Sequence, residues 1–120
     1  MAAGKDRMGR PVVVVTGLGV VTSLGAGKSD NWAKLAGGES GIKTITRFPT
    51  DGLKTRIAGT IDYLPAQDTA AALTESFANL AAEEAISQSG LGSARNFPGP
   101  LFLAVPPIEM EWPQRLALVA

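Results

Sequence analysis

Residues whose types and spacing could bind a phosphate are concentrated between Gly17 and Ser29. A P-loop needs the pattern G-x-x-x-x-G-K-[ST], in which backbone N–H groups surround the phosphates while the lysine and the hydroxyl reach the terminal phosphate and its magnesium ion. The string TSLGAGKS places Gly27, Lys28 and Ser29 in register, but Thr22 stands where the first glycine belongs. The match to a nucleotide-binding loop is therefore weak.

A second glycine pattern overlaps the first. The dinucleotide-binding fingerprint G-x-G-x-x-G finds its first two glycines in Gly17 and Gly19, and Thr22 occupies the third place. Without a phosphate, the two glycines would let the chain leave a buried strand in a tight turn, and Lys28 would be solvated at the start of a helix. The residues favour this structural interpretation.

Two pairs of carboxylates could do acid–base chemistry or hold a cation. Glu83 and Glu84 are adjacent on a predicted helix, so their side chains diverge by about 100°. Glu84 falls at the edge of an apolar stripe, where a structural role is favoured over acid–base work. Glu109 and Glu111 flank Met110 near Trp112, an arrangement more typical of a solvated or interface strand than of a cation site.

Composition excludes several classes of function. The 120 residues contain no cysteine and no histidine, which removes thiolate nucleophiles, imidazole bases and nearly every zinc site, and no metal or cofactor is expected. Eleven basic residues balance eleven acidic ones, so nucleic acid and anionic membranes are disfavoured partners. No apolar stretch reaches the roughly 18 residues that span a bilayer. Residues 1–10 lack the apolar core of a signal peptide and are predicted to be a flexible tail. A cytoplasmic protein is expected.

The apolar pattern predicts alternating strands and helices. Residues 12–15 form a β-branched run typical of a strand buried on both faces, residues 55–61 a second strand, and residues 101–105 a third. A short helix is expected from Ser29 or Asp30 to the stop at Gly37 and Gly38, followed by a loop over residues 41–52. The resulting β-α-β-α-β order favours an α/β layer with parallel neighbouring strands.

A long helix is predicted over residues 67–89. Its alanine-rich sequence has high helix propensity, and Gly90 is placed to end it. One side is an apolar stripe of Leu73, Phe77, Leu80 and Ala81. The other side, with Ala71, Ala78 and Ala82, could either admit a second layer at close range or face solvent.

Four strings in this order carry a resemblance to a known family. RPVVVVTGLGVVTSLG, NWAKLAGGESGI, ITRFPT and TRIAGTI together resemble the opening of the β-ketoacyl-acyl-carrier-protein synthases, the KAS II type in particular, over about residues 10–90. After Pro100 the chain reads LFLAVPPIEMEWPQR, where the family usually has a glycine-rich segment. The final RLALVA ends without a cap or turn and reads as an interrupted element.

The resemblance implies a thiolase-like fold, of which residues 11–120 would be the N-terminal part of the first α/β/α half, and a homodimer. It implies decarboxylative condensation of malonyl-carrier protein with an acyl thioester, with acyl carrier protein as partner. The family's catalytic cysteine and two histidines would lie beyond this chain, so no catalytic residue is assigned here. In such enzymes the glycine turn is scaffold. The alternatives are a non-catalytic chain-length-type subunit and a small P-loop-like nucleotide binder.

Overall fold

In the part of the chain that the structure describes, the elements with defined bounds are two short strand pairs and two helices. The computed structural model describes residues 4–65, 69–93, 95–104 and 117. In this part of the chain the elements are, in order, β1 (Val21–Thr22), β2 (Gly25–Ala26), α1 (Lys28–Ala36), β3 (Lys43–Thr44), β4 (Ile57–Ala58) and α2 (Ala70–Ser89). β1 pairs with β2 and β3 pairs with β4, both antiparallel.

The long helix α2 confirms the sequence prediction. The Thr69 hydroxyl accepts a hydrogen bond from the Ala72 N–H at 3.1 Å, which caps the first turn. Gly90 ends the helix in the left-handed conformation, with a φ of 67°. Residues 67 and 68, which were included in the predicted helix, lie outside the described residues. The predicted stripe of Leu73, Phe77, Leu80 and Ala81 is half-buried.

The shorter helix α1 was predicted correctly except at its start. It begins at Lys28, after Gly27 with a φ of 82°, and no side chain of its own segment caps it. The prediction of Ser29 or Asp30 as the cap is therefore wrong, because Glu84 on α2 accepts the hydrogen bond of the Lys28 N–H instead. At the other end Gly38, with a φ of 72°, is the left-handed residue that stops the helix.

A hairpin over residues 43–58 replaces the predicted parallel strand. The predicted strand over residues 55–61 is reduced to β4, and its partner β3 lies inside the predicted loop over residues 41–52. The Ile45 N–H continues the pairing to the Arg56 carbonyl at 2.9 Å. The pair is antiparallel because its connection contains no helix, whereas a parallel pair needs a crossover.

Two apolar runs that were predicted as strands lie outside regular structure. Residues 12–15 form no strand, and Val13 and Val15 are 90% and 88% exposed, so the prediction of a strand buried on both faces is wrong for this structure. Residues 101–104 likewise form none, and Phe102 is 89% exposed; Val105 lies outside the described residues. A strand needs a neighbour to pair with its backbone. Within the described ranges the 12–15 run makes one such bond, from the Val12 N–H to the Gly4 carbonyl at 2.8 Å, and residues 101–104 belong to no strand pair. The β-α-β-α-β order is not confirmed.

Much apolar surface remains exposed. No hydrophobic residue in the described ranges is buried. The accessible surface is 9545 Å², against about 6,000 Å² for a compact monomer of this mass. None of the helices in those ranges has the length and apolar character needed to cross a membrane. Alongside half-buried apolar residues, polar contacts link the glycine-rich segment to α2.

The cap of α2 gives a first test of this architecture. Replacing Thr69 with alanine removes the oxygen that accepts the Ala72 N–H, and we expect a loss of about 0.5–2 kcal/mol in the free energy of unfolding. Urea denaturation followed by circular dichroism at 222 nm measures it. Thr69→Ser keeps the hydroxyl and should stay close to the parent protein. An equal loss in both variants would contradict the capping role.

Candidate functional site

The segment around Gly17 and Gly19 lies directly against the backbone of α2. A Cβ atom added at Gly17 would stand 2.0 Å from the Ala85 carbonyl oxygen, and one at Gly19 would stand 1.8 Å from that of Ala81. Neither glycine has a positive φ, so space rather than backbone conformation requires glycine here. The two glycines shape the contact with α2, as the scaffold interpretation expects, although through close approach rather than through a tight turn.

The carboxylate of Glu84 joins α2 to the segment that leads into α1. Its Oε2 accepts a hydrogen bond from the Val20 N–H at 3.0 Å, and its Oε1 accepts one from the Lys28 N–H at 2.8 Å. The Lys28 ammonium also lies 3.7 Å from Oε1. One half-buried side chain therefore fixes the glycine segment and the first turn of α1 together.

Lys28, the lysine of the Gly-Lys-Ser string, is engaged by neighbouring groups of the protein. Its Nζ donates to the Leu18 carbonyl and to Gln88 Oε1, each at 2.8 Å. The same Gln88 oxygen accepts the Leu18 N–H at 2.8 Å. Glu84 and Gln88 are four residues apart on one face of α2, so the two side chains bind successive parts of the segment. We call Glu84, Gln88 and Lys28 the polar clamp.

Asn31 organises the rest of the turn from within α1. Its Nδ2 donates to the carbonyls of Gly25 and Gly27, both at 2.8 Å, and its Oδ1 accepts a hydrogen bond from the Thr22 hydroxyl. Lys34 Nζ donates to the Leu24 carbonyl at 2.5 Å. The side chains of Asn31 and Lys34 thereby bind three backbone carbonyls of the turn between β1 and α1.

Two pKa shifts follow from these surroundings. The pKa of Glu84 is lowered from 4.5, chiefly because the Lys28 and Val20 N–H groups donate to its ionised form, with the charge of Lys28 adding to the effect and desolvation opposing it. Burial raises the pKa of the Tyr63 phenol, and the negative charge of Asp30 adds to the rise. The Tyr63 hydroxyl donates to the Thr22 carbonyl at 3.1 Å.

The clamp occupies the place where a phosphate would bind. Helix N-termini attract anions because their first N–H groups are free and carry the positive end of the helix dipole. At α1 the Glu84 carboxylate already accepts a hydrogen bond from the Lys28 N–H. Lys28 Nζ already donates hydrogen bonds to the Leu18 carbonyl and to Gln88 Oε1. A phosphate there would bring a second negative charge against Glu84. The geometry favours a scaffold over a P-loop.

The other candidate residues of the sequence do not form a site in the described structure. The Glu83 side chain is exposed and makes no hydrogen bond or ion pair with the described residues, so it is no partner for Glu84 in acid–base work. Glu109, Glu111 and Trp112 lie outside the described residues. Within the described ranges, no group of three or more acidic, histidine or cysteine side chains could hold a metal ion.

Comparison with known proteins identifies the family. A family model described as "Beta-ketoacyl synthase, N-terminal domain" matches residues 10–90. The chain belongs to the β-ketoacyl synthase family. The matched range begins just before the valine run and ends at Gly90, the residue that terminates α2. All three members of the polar clamp, and both glycines that contact α2, lie within this β-ketoacyl synthase segment.

Curated relatives of this β-ketoacyl synthase chain include 3-oxoacyl-[acyl-carrier-protein] synthases and a polyketide synthase subunit by name. It is 51% identical over 55 residues to 3-oxoacyl-[acyl-carrier-protein] synthase 2 of Coxiella burnetii, covering 45% of this chain and 13% of that protein. It is 33% identical over 89 residues to 3-oxoacyl-[acyl-carrier-protein] synthase 1 of Haemophilus influenzae, covering 65% and 21%. It is 45% identical over 49 residues to the tetracenomycin polyketide synthase ketoacyl synthase beta subunit of Streptomyces glaucescens, covering 41% and 12%. The chain spans about a fifth or less of their lengths.

The glycine contact predicts a steric penalty. Gly19→Ala places a methyl group against the Ala81 carbonyl, so the segment must move away from α2 and lose the Glu84 hydrogen bonds. We expect a loss of about 1–3 kcal/mol in the free energy of unfolding, measured by urea denaturation. Gly4→Ala, with no atom within 4 Å of the added Cβ, is the matched control. Equal stability of the two variants would refute the contact.

The lowered pKa of Glu84 predicts a stability that depends on pH. Because its pKa in the folded protein lies below the 4.5 of the unfolded chain, Glu84 contributes its full stabilisation above pH 4.5 and loses it as the pH falls through the folded value. Glu84→Gln cannot ionise and presents an N–H₂ group to one backbone donor. It should be less stable near neutrality and show a flatter decline below pH 4.5.

Urea midpoints measured from pH 7 to pH 3 test this expectation. Glu83→Gln makes the same chemical change at the adjacent exposed position, where no hydrogen bond is lost within the described structure. Its pH profile should follow the parent protein. If Glu84→Gln and Glu83→Gln gave the same dependence of the urea midpoint on pH, the hydrogen bonds of Glu84 would not be what stabilises the contact of the glycine segment and α1 with α2.

Proposed function

We propose that the chain is the N-terminal portion of a 3-oxoacyl-[acyl-carrier-protein] synthase of fatty-acid or polyketide biosynthesis. The enzyme would transfer an acyl group to a cysteine sulfur, release carbon dioxide from malonyl-carrier protein, and let the resulting carbanion attack the acyl thioester. A carbon–carbon bond forms and the carbon–sulfur bond to the enzyme breaks. The observation that carries the proposal is the family match over residues 10–90, which contains the complete clamp.

The contribution of these 120 residues would be structural. They contain neither the cysteine nor the histidines that such chemistry uses: a thiolate of lowered pKa and donors that stabilise charge developing on the thioester oxygen. The catalytic residues are therefore assigned to positions outside residues 1–120. The clamp would hold α1 and the glycine segment against α2 so that the remainder of the enzyme packs on a fixed surface.

The proposal extends to fold and assembly. We place residues 11–120 in the first half of a thiolase-like fold, with residues 1–10 as a tail, in a cytoplasmic homodimer that acts on acyl carrier protein. The exposed apolar runs at residues 12–15 and 101–104 support this assignment, because surface of this kind is normally covered by further protein. The relatives named above, which are about five to eight times the length of the matched segment they share, are consistent with it.

A second candidate is a non-catalytic, chain-length-type subunit with the same fold. The similarity to a ketoacyl synthase beta subunit favours it. The clamp would serve such a subunit in the same way, because none of its contacts involves a reacting group. The residue at the position of the family's cysteine separates the two candidates: cysteine supports the enzyme, and glutamine or another residue supports the partner subunit.

The intact mass of the protein from its native source tests the proposal first. We expect a mass several-fold above the 12.4 kDa of these residues. Incubation with acyl- and malonyl-carrier protein should then give a 3-oxoacyl product and a covalent acyl-protein detectable by mass spectrometry. The 120-residue chain alone is the control and should give neither. A native mass near 12.4 kDa would overturn the enzymatic proposal, while a large protein without acyl-protein would point to the partner subunit.

A further inference from the structure

A cleft of about 550 Å³ lies between the hairpin and the N-terminal half of α2. Its volume is in the range of small-molecule sites, about 300–1,000 Å³. The hairpin contributes one basic residue, the segment after β4 contributes polar groups and a leucine, and α2 contributes two apolar residues. The residues that matter for its chemistry are Arg47, Thr60, Asp62, Leu64, Leu73 and Phe77.

One part of the cleft is apolar. Leu64, Leu73 and Phe77 line it and are half-buried, so each keeps some apolar surface accessible from the cleft. Leu73 and Phe77 are four residues apart and therefore adjacent on one face of α2. Covering such surface with a hydrocarbon chain removes it from water, which is favourable.

Another part of the cleft carries a positive charge that has no ion-pair partner among the described residues. Arg47 lines the cleft, is exposed, and makes no hydrogen bond or ion pair with the described residues. The negative charge of Asp62 is already engaged, because its Oδ2 accepts from the Thr60 hydroxyl at 3.0 Å and lies 3.5 Å from Lys43 Nζ. The Arg47 guanidinium is thus free to form a two-pronged contact with an anionic head group.

The charge of the whole hairpin adds to this attraction. Over residues 43–58 the hairpin contains four basic residues and one acidic residue, although the complete chain is neutral. A local excess of one sign raises the concentration of oppositely charged ligands near the surface. The hairpin therefore favours anions over cations at the mouth of the cleft.

We propose that this cleft binds an amphipathic anion, a single hydrocarbon chain with a carboxylate or phosphate monoester head. The head group lies against Arg47, and the chain covers Leu64, Leu73 and Phe77. Among the residues described at this cleft, an unpaired arginine beside an apolar patch matches a ligand with one charged end and one apolar end. The inference does not rest on the proposed condensing activity, since it uses no residue outside the described chain.

Calorimetric titration of the full-length protein with dodecanoate and with dodecyl phosphate, each below its critical micelle concentration, tests the proposal. We expect one ligand to bind per chain. Binding of dodecanoate alone would indicate that the cleft prefers a fatty-acid-type carboxylate as head group. Tighter binding of dodecyl phosphate would indicate that it prefers a phosphate monoester. Dodecyltrimethylammonium, with the same chain and a cationic head, should not bind, and acetate should not compete.

Arg47→Gln and Arg56→Gln form a matched pair of variants. Each removes one positive charge from the hairpin, but only Arg47 lines the cleft. We expect Arg47→Gln to weaken binding about tenfold to a hundredfold, as loss of a charge-assisted hydrogen bond does, and Arg56→Gln to change it by less than about twofold. Circular dichroism of both variants checks that the fold is retained.

Three results would overturn the inference. Failure of both anions to bind the full-length protein would show that the cleft is closed or covered there. Equal losses in Arg47→Gln and Arg56→Gln would show that only the general charge of the hairpin is sensed. Equal binding of dodecyltrimethylammonium would show adsorption to exposed apolar surface. None of these results bears on whether the protein forms a 3-oxoacyl product, which the condensation assay decides separately.

Discussion

The two hydrogen bonds that the Glu84 carboxylate accepts are the constraint on which this part of the molecule depends. One comes from the glycine segment at Val20 and the other from the first residue of α1. Helix α1 has no side-chain cap of its own, so its first N–H group is satisfied from another element. In a structure without buried hydrophobic residues in the described ranges, these directional contacts determine where α1 lies relative to α2.

The hydrogen bonds of Glu84 in turn require the glycines. A carboxylate reaches backbone N–H groups only if the two backbones lie close together, and Gly17 and Gly19 allow this by leaving no Cβ against the carbonyls of Ala85 and Ala81. A larger side chain at either position would push the segment away from α2. Gly17, Gly19 and Glu84 therefore act together. The glycines allow the close approach of the two backbones, and the carboxylate accepts the hydrogen bonds that this approach makes possible.

The sequence predicted the elements whose formation depends on residues close together in the chain. Helix α2 was predicted from its alanine-rich sequence and from Gly90 as its stop, whereas its cap, Thr69, was found only in the structure. The clamp was not predictable because its partners are 56 to 70 residues apart, and a glutamate beside an apolar stripe gives no sign of them. Strand β3, Lys43–Thr44, carries no apolar alternation. The run at residues 12–15 has strand-forming residues, but burial of a strand depends on neighbours that its own sequence does not specify.

The long sequence separation within the clamp also affects how the protein is made. The ribosome synthesises Leu18 and Val20 well before Gln88 and Glu84, their partners at separations of 70 and 64 residues. At roughly 5–20 residues per second, the nascent chain waits about 3–14 seconds before the clamp can close. The neighbouring valines are available to other chains during that interval, and they stay exposed in the described structure after the clamp has closed. Arg10 and Pro11, which directly precede the valines, are residue types that discourage such pairing.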